Sequence, residues 1–129
     1  MGHRHIVVFC LAVATVATAS ARPARAPAAP SPFDGVWTIE ATTRSFFCPM
    51  RSKTLQAVVR GGAVVQLTGL PSPRSTGQVD ASGGVVITVE TIGHTARISG
   101  RVQGAQGQGE WTSDSVICAN GDWRATATR

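Results

Sequence analysis

Cys48 and Cys118 are the residues of this chain most able to do chemistry. A third cysteine, Cys10, sits inside an apolar N-terminal run that reads as a cleaved leader, so two thiols remain. An even number in an oxidising compartment favours one disulfide. The two lie 70 residues apart, and closing so long a loop stabilises by about 4 kcal/mol in the chain-entropy picture. The same spacing argues against zinc, which needs clustered ligands, and only His94 survives loss of the leader to join them. His94 stands between Gly93 and Thr95 at a turn, the setting of a solvated side chain rather than a general base. No serine has the Gly-x-Ser-x-Gly context of an activated nucleophile. The carboxylates are scattered, and Glu40, Glu110 and Asp122 fall on the face opposite the tryptophans, so no pair has one member in an apolar pocket. Gly104, Gly107 and Gly109 have no helix after them and make no phosphate loop. These residues point to no enzyme, no metal and no cofactor.

What remains is a recognition chemistry. Residues 44–51 read RSFFCPMR, with Phe46, Phe47 and Met50 around Cys48 and with Arg44 and Arg51 at the two ends. Two uses fit. Small domains spend their aromatics on core, so one phenylalanine would plug an end of the fold with Met50 packed beneath the loop. Alternatively, an apolar loop held rigid by a disulfide and rimmed by arginines makes an exposed contact patch.

The elements that must position this loop are strands. Val, Ile and Thr alternate with polar residues between glycine-rich breaks, and helix signals are nearly absent. The first strand is expected at about residues 36–42, with Trp37, Ile39 and Ala41 on one face and Val36, Thr38 and Glu40 on the other. A loop over 43–52 carries Cys48. Residues 53–60 and 63–68 flank Gly61-Gly62, a pair suited to the positive φ of a tight hairpin turn. Further strands are expected at 76–80, 85–91, 95–102, 110–112 and 122–128. Gly93-His94 is read as a turn, 104–109 as flexible, and Asn120-Gly121 as a turn between the last two strands. Each tryptophan follows a glycine by two positions, at Gly35/Trp37, Gly109/Trp111 and Gly121/Trp123. This pattern reads as a backbone kink followed by a ring that anchors a small core. About eight short strands in up-and-down order give an all-β fold, a small antiparallel barrel or a curled sandwich with one disulfide. The inward candidates are mostly Val, Ile and Ala, whose modest bulk suits a filled interior better than a roomy cavity.

Residues 1–21 show a basic start, the apolar run 6–16 and small residues at a cleavage site, the pattern of a secretory signal peptide. The run is too short to persist as a membrane anchor, and Phe9 before Cys10 argues against lipid attachment. His3 and His5 leave with this segment. Residues 22–32, RPARAPAAPSP, read as a Pro/Ala/Arg-rich linker, and 33–129 as one β domain. The net charge of +5 shrinks accordingly. From Phe33 onward nine basic side chains face seven acidic ones, intermingled along the chain, whereas nucleic-acid binding wants a basic stripe. A periplasmic or extracellular bacterial protein is expected, with no integral membrane segment once the leader is gone.

The folded region resembles a group of small exported alphaproteobacterial proteins, uncharacterised in function, from soil and plant-associated species. The matching residues are Phe33-Asp34-Gly35-Val36-Trp37, Cys48, Gly109-Glu110-Trp111, and Cys118-Ala119-Asn120-Gly121-Asp122-Trp123-Arg124-Ala125. It departs at Ser45-Phe46-Phe47-Cys48-Pro49-Met50, where that group carries polar residues and tyrosines and this chain has no tyrosine at all. Gly35, Trp37 and Arg124 are also similar to the calycin barrels, which include lipocalins, avidins and inhibitors of bacterial metalloproteases. These resemblances imply a fold and a compartment; fold alone carries no activity. The function expected is a binding or interaction module with residues 44–51 as its contact loop, for a protein or a small apolar ligand and not for nucleic acid. An inhibitor of an exported hydrolase, acting through the same loop or through 22–32, and a lipocalin-like carrier are the alternatives.

Overall fold

The structure, a computed structural model, describes Gly2 and residues 29–128. Apart from Gly2, the expected signal peptide lies outside the described residues, as do most of the linker and Arg129. Eight strands follow one another: β1 (Gly35–Thr43), β2 (Ser52–Arg60), β3 (Ala63–Thr68), β4 (Arg74–Val79), β5 (Gly84–Thr91), β6 (His94–Gln103), β7 (Gln106–Ser113) and β8 (Asn120–Thr128). Each pairs antiparallel with its neighbour in sequence, and β1 pairs with β8 to close a barrel. This settles the choice between barrel and sandwich.

Alternation along the strands sends one set of side chains inside. Trp37, Ile39, Leu55, Ala57, Val59, Ile87, Val89, Ile98, Trp123 and Ala125 are all buried there. The outer wall carries charge and amide groups instead: Glu40 pairs in register with Arg124, Arg124 with Gln108, and Gln108 with Arg101. A barrel with its apolar side chains inside and charged ones outside is the reverse of a lipid-embedded barrel. Among the described residues no helix is long and apolar enough to cross a membrane. The interior is packed, leaving a void of only about 30 Å³ between Trp37, Val64, Ile87, Trp123 and their neighbours.

The glycine–tryptophan pattern has a different physical basis from the kink expected of it. Of Gly35, Gly109 and Gly121, only Gly35 has a positive φ, 132°. Gly109 and Gly121 lie inside β7 and β8, where Gly109 pairs with Trp123 and Trp111 pairs with Gly121. Two antiparallel copies of Gly-x-Trp thus place each indole opposite a glycine. A Cβ at Gly109 would come within 2.8 Å of Trp123 Nε1, and one at Gly121 within 2.5 Å of Trp111 Nε1. Each indole N–H donates to a backbone carbonyl: Trp37 to Phe33 (2.8 Å), Trp111 to Thr42 (2.9 Å) and Trp123 to Ser99 (3.0 Å). The rings are therefore structural, with their polar edges satisfied as buried indoles require.

Two local expectations are corrected. Residues 104–109 are not a flexible stretch. Gly104-Ala105 is a tight turn, and β7 begins at Gln106 because it pairs residue by residue with both β6 and β8. Asn120-Gly121 opens β8 rather than turning, since Gly121 is needed beneath Trp111; the connection is residues 114–119. The β5–β6 turn is Ile92-Gly93, one residue earlier than expected, with His94 already in β6.

Candidate functional site

The up-and-down order sends the connections alternately to two ends. At one end lie residues 31–34 and the turns at 61–62, 80–83 and 104–105. This end is shut. Phe33 is buried and its ring approaches Gly83. The Asp34 carboxylate accepts from Gly62 N (3.0 Å) and Ser31 N (3.1 Å), clamping the β2–β3 turn to the start of β1. Asp80 accepts from Ser82 Oγ, Ser82 N and Gly84 N around the β4–β5 turn. Backbone bonds from Gly61 and Gly62 hold Asp34 below the usual carboxylate range, and the Ser82 hydroxyl does the same for Asp80.

At the other end stand residues 44–51, 69–73, 92–93 and 114–119. The disulfide joins Cys48 to Cys118 here, with Cα atoms 4.8 Å apart, so it links the β1–β2 loop to the β7–β8 loop. Serine and arginine side chains tighten that joint. Ser45 Oγ accepts from Ala119 N (3.0 Å), Ser113 Oγ donates to the Cys118 carbonyl (2.6 Å), and Ser115 Oγ accepts from Cys118 N (3.2 Å). Arg44 donates to the Gly121 carbonyl (3.3 Å) and pairs with Glu110 (3.6 Å) and Asp122 (3.7 Å). Asp114 fastens the β5–β6 hairpin to the same assembly, bonded to Thr95 N and to His94 Nδ1, each at 3.1 Å.

These polar ties hold a crown of apolar side chains out in solvent. Among the described residues nine large hydrophobics are exposed, and six of them are at this end: Phe46, Phe47, Met50, Ile92, Val116 and Ile117. Phe46 is 79% exposed, Phe47 80% and Val116 94%. The two phenylalanine rings meet edge to face, 5.2 Å apart. The packing alternative for the loop is thereby overturned: neither Phe46 nor Phe47 plugs the barrel, and Met50 is half in solvent. Phe33 takes the plugging position, and it does so at the opposite end. Arg51 is exposed and Lys53 half-buried at the foot of the loop. Of the other residues singled out from the sequence, Gly35, Trp37, Gly109, Trp111, Gly121 and Trp123 lie in the barrel wall and core.

Sequence reasoning did not find the remaining members of the crown. Val116 and Ile117 lie between the strands expected at 110–112 and 122–128, and Ile92 at a strand–turn boundary. The usable signal was the disulfide itself, since tethering to Cys118 brings its apolar neighbours beside Phe46 and Phe47. Ile92 has φ 20°, a turn position where a β-branched side chain is uncommon. Strain of this kind concentrates where the side chain itself has a use.

The outer wall has two shallow depressions of about 600 and 740 Å³, lined chiefly by Arg101, Gln108 and Arg124. Both are open and polar, and Glu40, Glu110 and Asp122 also line the larger one.

The chain matches no protein-family model and no curated protein sequence. What it is rests on its own geometry: a small, disulfide-bonded, closed barrel of eight antiparallel strands. The disulfide itself belongs to an oxidising compartment.

Proposed function

We propose that this protein is an exported, non-catalytic binding module, periplasmic or extracellular, whose contact surface is the disulfide-tied crown. One observation carries the proposal: among the described residues, two-thirds of the exposed large hydrophobics stand at one end, on loops tied together by a disulfide and several serine hydrogen bonds. Rigid apolar display lowers the ordering cost of association, and contiguous exposed apolar surface marks interaction sites. Export rests on the leader-like pattern of residues 1–21 together with the disulfide.

A carrier of small apolar molecules finds no support inside the barrel, because ligand cavities run from roughly 300 Å³ upward and this one is about 30 Å³. An inhibitor of an exported hydrolase remains the second reading, favoured by the protrusion of Phe46 and Phe47 on a tethered loop.

The test is native mass spectrometry of protein recovered from its host's envelope, beside a Phe46→Ser/Phe47→Ser variant recovered in the same way. The proposal expects the wild type to retain bound material, lipid or protein, and the variant to lose it while keeping its melting temperature. Equal retention by both would move the contact surface away from the crown.

A further inference from the structure

The chemistry of the crown identifies what it touches. Resting on the contact-module reading, we infer that its partner is an anionic lipid surface, into which Phe46, Phe47, Met50, Ile92, Val116 and Ile117 insert as the barrel stands end-on.

Protein contact surfaces favour Tyr, Trp and Arg, residues with an apolar body and a polar handle, packed near the centre of a patch. Here the chain has no tyrosine, and its tryptophans are in the barrel with their N–H groups already bonded to carbonyls. The tips are instead purely apolar. Exposures of 79–94% at Phe46, Phe47 and Val116 describe knobs that project from the loops into solvent. Knobs of this composition suit the boundary between headgroups and acyl chains.

Arrangement argues the same way. The β7–β8 loop is flanked at this end by the β1–β2 loop, tied to it by the disulfide, and by the β5–β6 turn, tied to it by Asp114, so that Ile92 stands across the closed ring from Phe46 and Phe47. A single partner touching both must be broad and flat, as a bilayer surface is.

Lipid also demands that backbone groups entering it be satisfied internally. The serines of this end do that for the backbone at the base of the apolar tips, around the Cys48–Cys118 joint. Ser45 takes the Ala119 N–H, Ser113 takes the Ser115 N–H and gives its proton to the Cys118 carbonyl, and Ser115 takes the Cys118 N–H. Thr43 Oγ1 accepts from Ser45 N.

Charge selects the lipid. Arg51 and Lys53, at the foot of the apolar loop, have no ion-pair partner among the described residues. Asp114, the one carboxylate within these loops, is engaged by His94 and Thr95 N. Basic residues beside inserted apolar ones draw the loop to anionic headgroups.

The probe is flotation of the host-processed protein with vesicles of phosphatidylcholine alone and of phosphatidylcholine mixed with phosphatidylglycerol. The wild type should float with the mixed vesicles and less with the neutral ones. Phe46→Ser/Phe47→Ser should weaken partitioning roughly tenfold or more, and Arg51→Glu by roughly fivefold. All forms share the same N-terminus, so any contribution of residues 1–28 cancels. Should the phenylalanine variant fail to fold, Val116→Ser/Ile117→Ser carries the same test from the other loop. Absence of flotation on both vesicle types, or flotation indifferent to these changes, overturns the lipid inference. Native mass spectrometry then separates the two failures. Protein retained by the wild type and lost from the variant would leave the contact-module reading standing with a protein partner. Nothing retained by either would remove that reading as well.

Discussion

The two ends of this barrel are built oppositely, short turns at one and longer tethered loops at the other. At the closed end a buried phenylalanine, two carboxylates and short glycine turns satisfy one another, and little apolar surface is left over. At the crown end serine side chains tie the loops to one another, yet the apolar side chains are pushed outward. A domain of this size has little core to spare. Six large hydrophobics withheld from it stand at the end to which we assign contact.

Changes at the two ends should therefore differ in kind. The largest loss is expected at the closed end. Trp37→Ala removes a buried indole and its bond to the Phe33 carbonyl, and should cost about 3–5 kcal/mol in denaturant unfolding. The disulfide comes next and cuts across the comparison, because it stabilises from the contact end. Cys48→Ser/Cys118→Ser should cost about 2–4 kcal/mol and weaken vesicle binding as the two loops part. Thiol titration of the mature protein, without residues 1–21 and Cys10, should find none free; two would remove the covalent tie between the loops.

Acid should loosen the closed end. Asp34 and Asp80 have lowered pKa values when folded, so the unfolded chain takes up their protons first as pH falls. Their contribution is complete above the ordinary carboxylate value of about 4 and is lost as pH drops through the folded values. The melting temperature should fall on acidification below about pH 4, with a shallower slope in Asp34→Asn/Asp80→Asn. An unchanged slope would mean that the clamps do not couple to folding. The smallest effect on stability belongs to the crown: Val116→Ser should shift unfolding by no more than about 0.5 kcal/mol, while binding suffers.

Much of the barrel was legible in the sequence because period-two alternation and paired glycines are local signals. Trp37, Ile39 and Ala41 fall on the inner face for that reason, and the Gly61-Gly62 hairpin turns where expected. Gly109 and Gly121 were misjudged because their reason is not local. Each makes room for an indole on the neighbouring strand, which only the β7–β8 register reveals. The crown was half legible. Arg44, Phe46, Phe47, Met50 and Arg51 are contiguous in sequence, whereas Ile92, Val116 and Ile117 join them only when the barrel closes. Asp34 and Asp114 carried no chemical signature, since a carboxylate that ties two loops looks in sequence like any solvated one.

One measurement decides whether the two ends divide their work this way: equilibrium unfolding of Phe46→Ser/Phe47→Ser beside Phe33→Ser. Two exposed rings lost from the crown should leave stability within about 0.5 kcal/mol of the wild type. The single buried ring lost from the closed end should cost about 3–5 kcal/mol. A crown variant destabilised as much as the Phe33 variant would make Phe46 and Phe47 part of the core and contradict their assignment to contact.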